Sequence, residues 1–213
     1  MADQPAVEVD GRYVAYGSTP VLVDVSLYLP AGAGICVTGE NGIGKSTLLR
    51  CVSSLQRPDQ GAIKIFGRPA GSTPEFWRQV VTTVEPPTWY AGLTAREHAE
   101  LVCRAHGQDP EEAGVDEALE GFGLGAHADA IPPSLSSGQK QRLLLAITLL
   151  RPSSLLILDE PEQRLDPEGR ASVAAMLSQY VQNGGTLLMA SHDDAFSEAS
   201  GAKITNMEAL AGS

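Results

Sequence analysis

Four short apolar runs mark out the chain: Gly34 to Thr38, Val80 to Val84, Leu155 to Leu158 and Thr186 to Ala190. They alternate with helical patterns, the rhythm of a mainly parallel sheet whose strands are buried on both faces and covered by helices. Ahead of them, Val7 to Val14 and Val21 to Leu29 flank the turn-prone Gly17-Ser18-Thr19-Pro20 and are expected to pair antiparallel at one edge. Helices are predicted to begin at Lys45, after Thr94 and after Ser137, with a fourth over Pro167 to Gln182. Thr94 and Glu97 have the spacing of a capping box, which satisfies two of the free amides of a helix start. Ala91 to Arg151 reads as mostly helical. No internal repeat, low-complexity tract or long linker interrupts the pattern. The expectation is one α/β domain, with an N-terminal antiparallel β part and a helical subdomain over residues 89–151 set into a core of residues 1–88 and 152–213.

Composition narrows the setting. Of 213 residues, 43% are hydrophobic and 19% charged, enough apolar material for one sizeable core. No apolar run reaches the 18 or so residues of a membrane-spanning helix, and Met1-Ala2-Asp3-Gln4-Pro5 lacks the basic head and hydrophobic stretch of a secretion signal. A cytoplasmic location is therefore expected. Cys36, Cys51 and Cys103 are odd in number and scattered, fitting buried small hydrophobes better than disulfides or paired metal ligands. The net charge of −11 lies almost wholly in residues 107 to 213, and no Lys or Arg falls between Arg104 and Lys140. That face would repel a phosphate backbone, so direct nucleic-acid binding is not expected.

The strongest chemical signal is Gly39-Glu40-Asn41-Gly42-Ile43-Gly44-Lys45-Ser46-Thr47. It matches the phosphate-loop pattern and lies between a predicted strand and a predicted helix, as that pattern requires. Gly39, Gly42 and Gly44 let the backbone curl so that amides, including that of Asn41, converge on a phosphate. Lys45 suits the β and γ phosphates, Ser46 offers a hydroxyl to Mg2+, and Thr47 completes the loop. The expected core is thus that of a phosphate-loop NTPase. Leu155 to Leu158 leads into Asp159-Glu160, two carboxylates at the carboxyl end of a buried strand, where an open α/β sheet places its ligand chemistry. Asp159 suits a Mg2+ shell and Glu160 a general base for water. Ser191-His192-Asp193 follows another apolar strand at the same predicted edge.

Leu135-Ser136-Ser137-Gly138-Gln139 is similar to the signature of ATP-binding-cassette (ABC) ATPases, and the order of all the motifs matches that family along nearly the whole chain. The resemblance implies that Tyr16 stacks on adenine, that Leu165-Asp166 belongs to the D-loop, and that His192 is the switch histidine facing the γ phosphate. It also implies that Ser136, Ser137, Gly138 and Gln139 serve the nucleotide held by a second ATPase subunit, so that a head-to-tail dimer, expected to be a homodimer, is required. Three departures stand out. Glu85, in Val84-Glu85-Pro86, occupies the place of the family's Q-loop glutamine; a carboxylate there can still ligate Mg2+ and orient water, while adding charge near the γ phosphate. Ser137 replaces a glycine, a small-for-small change. The D-loop reads Glu162-Gln163-Arg164-Leu165-Asp166 instead of a run of small residues.

The implied function is the nucleotide-binding subunit of an ABC transporter, hydrolysing ATP with Mg2+ to drive a separate integral membrane subunit from the cytoplasmic face. Trp89 and Tyr90, after the stiff Pro86-Pro87, fall where the family receives a coupling helix, and would be anchors if exposed. His98, His106 and His127 read as structural or surface residues. With little chain after His192, export is favoured over import. The alternative is a soluble ABC ATPase acting on nucleic acid or ribosomes. It is disfavoured because the long coiled-coil insertion of DNA-repair members and the second cassette of ribosome-acting members are both missing. A non-hydrolysing sensor is disfavoured by Glu160 and His192.

Overall fold

A computed structural model describes residues 4–16, 19–71 and 73–211, apart from the side chains of Arg12 and Tyr16. The adenine-stacking role expected of Tyr16, and Gly17 and Ser18 of the predicted turn, therefore lie outside the described residues. β1 (Pro5–Tyr16) and β2 (Thr19–Pro30) pair antiparallel, with Val9 opposite Leu27 and Val14 opposite Leu22. β3 (Gly34–Thr38) leads into α1 (Lys45–Val52). β4 (Gln60–Ile65) and β5 (Arg68–Pro69) then complete an antiparallel sheet in the order β2-β1-β4-β5. Neither β4 nor β5 was expected, since of Gln60 to Ile65 only Ile63 and Ile65 are buried.

The remaining elements are α2 (Pro74–Gln79), β6 (Val80–Thr82), α3 (Ala95–Ala105), α4 (Val115–Gly121), α5 (Ser137–Leu150), β7 (Leu155–Asp159), α6 (Pro167–Gln182), β8 (Thr186–Ala190), α7 (Asp194–Ala199), β9 (Ala202–Asn206) and α8 (Met207–Leu210). Five strands form the second sheet in the order β6-β7-β8-β3-β9, each pair parallel. β6 ends two residues earlier than the apolar run suggests. The Thr83 amide still donates to Ile157 O (3.0 Å), but the Val84 amide turns back to Thr82 Oγ1 (3.2 Å), and the strand stops there.

The period-two alternation of these strands sends their side chains into two separate cores. Ile35, Val37, Leu155, Ile157, Leu188 and Ala190 face α1 and the antiparallel sheet. Cys36, Leu156, Leu158, Leu187 and Met189 face the other way, onto α3, α4, α5 and α6. The helices that follow Lys45 and Ser136 therefore cover opposite faces of the parallel sheet. The three cysteines are buried, as expected. Burial pushes the Cys36 thiol up to about 11, against a lowering by the hydroxyl of Ser197, so it packs as a small hydrophobe.

Candidate functional site

Parallel pairing puts every carboxyl end of the second sheet at one edge. Asp159 is in register with Ala190, which is also the partner of Val37. The segments beginning at Gly39, Glu160 and Ser191 therefore leave the sheet side by side, where an open α/β sheet binds its ligands. The loop after β3 curls through Gly39, Gly42 and Gly44, at φ of +143°, +81° and +112°. Gly44 is the constrained member: it caps α1 in a left-handed conformation, and a Cβ there would lie 2.8 Å from Leu22 Cδ2 and 3.0 Å from Val21 O. Asn41 is exposed and Thr47 buried. Lys45 is only 6% exposed, and its Nζ donates to the carbonyls of Gly39 (2.7 Å) and Glu40 (3.0 Å), which points its charge into the mouth of the loop. Ser46 is exposed at the first turn of α1, where unpaired amides and the helix dipole favour an anion.

Glu160 leaves β7 with φ +46°, a left-handed conformation that costs a residue with a side chain about 1–3 kcal/mol. Two contacts hold it there: its amide donates to Ala190 O (2.9 Å), and its Oε1 lies 3.3 Å from His192 Nε2. Both side chains line a hollow of about 550 Å3 with Gln163, Arg164 and Arg170. Glu162, which the sequence marks only as part of the unusual D-loop, also lines it and is 6% exposed. Its Oε1 accepts from Ser191 Oγ and from the His192 amide (3.3 Å), while its Oε2 has no hydrogen-bond partner among the described residues. The Ser191 hydroxyl in turn accepts from the Asp193 amide (3.0 Å). The loop after Glu160 is thus stitched to the backbone that carries His192.

Ser136 and Gln139 form a second capping box. Gln139 Oε1 accepts from the Ser136 amide (2.8 Å) and Ser136 Oγ accepts from the Gln139 amide (3.2 Å). Ser136 and Ser137 are exposed. Gly138 is not free to change: a Cβ would come within 2.7 Å of Arg164 O. Further along α5, Gln141 Nε2 donates to Pro161 O (3.2 Å) and Arg142 pairs with Asp166. Asp166 caps α6 through the Gly169 amide (3.0 Å). That amide, followed by the Arg142 guanidinium, holds the Asp166 carboxyl below its ordinary range. The first turns of α5 are therefore fastened along the loop from Glu160 to Asp166.

Glu85, expected as a Mg2+ or water contact, has its Oε1 paired with Arg50 Nη1 at 2.7 Å. Among the described residues, no three His, Cys, Asp or Glu side chains converge as a metal cage would require. Ser46 and Asp159 remain as hard oxygen donors at one sheet edge, a short set of the kind Mg2+ uses when water and phosphate oxygens complete its shell. Trp89, an anchor only if exposed, is half-buried against the second core, its ring edge-on to His98 at 5.4 Å. Tyr90 is 62% exposed. His98 is a buried structural residue. Its Nε2 accepts from the Tyr90 amide (2.9 Å), and Nδ1, assigned as the protonated nitrogen by this network, meets Thr94 O at 2.7 Å.

The chain is similar to known proteins in sequence and in fold. The family model described as "ABC transporter" matches residues 22–163. The cytochrome c biogenesis ATP-binding export protein CcmA of Alkalilimnicola ehrlichii is 34% identical over 197 residues, covering 88% of this chain and 80% of that protein. The methionine import ATP-binding protein MetN of Mesorhizobium japonicum is 34% identical over 200 residues; 90% of this chain is matched, but the match spans only 55% of MetN. Among solved structures, the ATP-binding subunit of an ABC transporter superposes with a TM-score of 0.84 at 29% identity, covering 94% of this chain and 85% of that one.

Proposed function

Because this chain belongs to the ABC transporter family of ATP-binding proteins, we propose that it is a transporter's nucleotide-binding subunit, working in a head-to-tail dimer to drive a separate integral membrane subunit. It is an ATP hydrolase of the ABC type. The observation that carries this reading is the meeting of the Lys45 loop, Asp159-Glu160 and His192 at one sheet edge, while Ser136 opens a helix on the sheet's other face. Export is favoured over import, although one relative's name says export and the other's says import. Both are transport proteins, which favours transport over action on nucleic acid or ribosomes.

In this reading the loop amides and Lys45 bind the β and γ phosphates, and Tyr16 takes the adenine. Ser46 and Asp159 would hold Mg2+, which would supply neutralisation of the charge that develops on the phosphates. Glu160 orients a water in line with the γ phosphorus and accepts its proton as the new P–O bond forms and the bond to ADP breaks. His192 Nε2 steadies the Glu160 carboxylate and faces the γ phosphate. Ser136, Ser137, Gly138 and Gln139 close over the nucleotide of the second subunit, and Asp166 keeps α5 and α6 in register beside it. Residues 89–151 form the helical part that receives the membrane subunit, with Tyr90 as the exposed contact. No helix of the described residues is long and apolar enough to cross a membrane, so this reading places the chain peripherally, on the cytoplasmic face, through its partner.

The test is coexpression with a multi-span membrane protein encoded beside it. The chain should then copurify with membranes, and its MgATP hydrolysis should rise when that partner is present. Tyr90→Ala should weaken association while soluble hydrolysis persists. Hydrolysis without any response to the partner would argue against transport coupling.

A further inference from the structure

Resting on the reading of this site as a MgATP hydrolase, we propose that Arg50 is a positioning residue for that reaction: it holds the Glu85 carboxylate along α1 and away from the phosphates. Glu85 follows β6, whose register pairs Thr82 with Ile157, and the Thr83 amide extends the ladder to Ile157 O. Glu85 thus leaves the sheet beside the strand that ends in Asp159. A free carboxylate at this edge sets a full negative charge next to the place where a nucleotide triphosphate binds. Arg50 Nη1 meets Glu85 Oε1 at 2.7 Å. Arg50 also stands four residues after Ser46, on the same face of α1 and about 6 Å further along the axis. The acid is therefore neutralised one helical turn from the phosphate loop.

The side chains of this pair are 39% and 51% exposed, so it contributes little to stability. Its consequence is where the charge sits. Without Arg50, the Glu85 carboxylate is unpaired and free to swing toward the γ phosphate. Repulsion then weighs more on ATP than on ADP, and salt screens it. A competing account keeps Arg50 as a cation at the C-terminal end of α1, where it offsets the helix dipole whatever stands at Glu85. The two accounts diverge when Glu85 loses its charge.

The experiment measures ATP and ADP affinity with Mg2+ by displacement of a fluorescent nucleotide, with circular dichroism to confirm the fold of each variant. Arg50→Gln in the parent chain should weaken ATP binding about fivefold and ADP binding about twofold, and the ATP loss should shrink at about 0.5 M salt. In the Glu85→Gln background the same Arg50→Gln change should alter ATP affinity by less than about twofold. An equal loss in both backgrounds, or no loss in the parent chain, overturns the proposal. If the parent chain itself binds no MgATP, the hydrolase reading fails and takes this one with it; neutral Arg50→Gln in a parent chain that binds MgATP sinks this one alone.

Discussion

Glu160 Oε1 lies 3.3 Å from His192 Nε2, across the carboxyl ends of the adjacent parallel strands β7 and β8. The contact joins Glu160, whose side-chain-bearing backbone is strained at φ +46°, to a histidine whose own backbone is held by Glu162. Strain of this kind persists only where its surroundings over-determine it. Here the fixed groups are the Ala190 carbonyl, which receives the Glu160 amide, and the imidazole. A carboxylate held in this way keeps one orientation, which is what a base acting on a single water requires.

The signature tolerates change unevenly. Gly138→Ala should destabilise the fold by about 1–3 kcal/mol, because its Cβ meets the Arg164 carbonyl at 2.7 Å and backbone must move. Ser137→Gly, at an exposed position, should change the thermal midpoint little. Thermal unfolding of the two variants checks the contrast; equal midpoints would contradict it.

Glu162 ties the loop after Glu160 to the switch histidine. Glu162→Ala leaves the buried Ser191 hydroxyl without its acceptor, a loss of about 1–3 kcal/mol, and should lower turnover about tenfold by loosening His192. Glu162→Gln keeps an accepting oxygen and should stay within about threefold of the parent. Steady-state kinetics beside denaturant unfolding separates these outcomes.

Asp166 gives the fold an acid-side dependence. Its carboxyl is held below the ordinary 3.8, first by the Gly169 amide and then by Arg142. A lowered folded value means that the contribution is complete above 3.8 and is lost as pH falls from there through the folded value. Asp166→Asn keeps a capping side chain but does not titrate. Its stability should fall less steeply than the parent's below about pH 4, as read by urea unfolding across acid pH.

Composite sites predict complementation. An inactive Lys45→Ala chain mixed with an inactive Ser136→Arg chain should regain activity, since a mixed dimer holds one site with both an intact phosphate loop and an intact signature. Absence of recovery, with mixed dimers shown to form, would place signature and loop in the same chain's site.

The phosphate loop was legible because its residues are contiguous and its strand–turn–helix context is local. The buried strands were legible because both faces are covered, so they read as plain apolar runs. β4 was not, since its Gln60, Gly61, Ala62 and Lys64 are exposed and only Ile63 and Ile65 report burial. Glu162 looks like any loop acid, and nothing in the sequence around it signals that Ser191, 29 residues on, will bury it. The Arg50–Glu85 pair is likewise a tertiary fact, hidden until β6 delivers Glu85 beside α1. The Ser136–Gln139 box follows the same rule as Thr94–Glu97. In the ABC resemblance the same residues are nucleotide contacts, and they do both jobs only if the capping hydrogen bonds leave the Ser136 hydroxyl free to donate.

Phosphate release by the purified chain and its Glu160→Gln variant decides whether Glu160 is the base for MgATP hydrolysis. The parent should release phosphate from MgATP. The variant should bind ATP as tightly, lose turnover by about a hundredfold or more, and accumulate as an ATP-bound dimer on size-exclusion chromatography. Turnover at the parent's rate in Glu160→Gln would contradict the account and remove Glu160 from the chemistry.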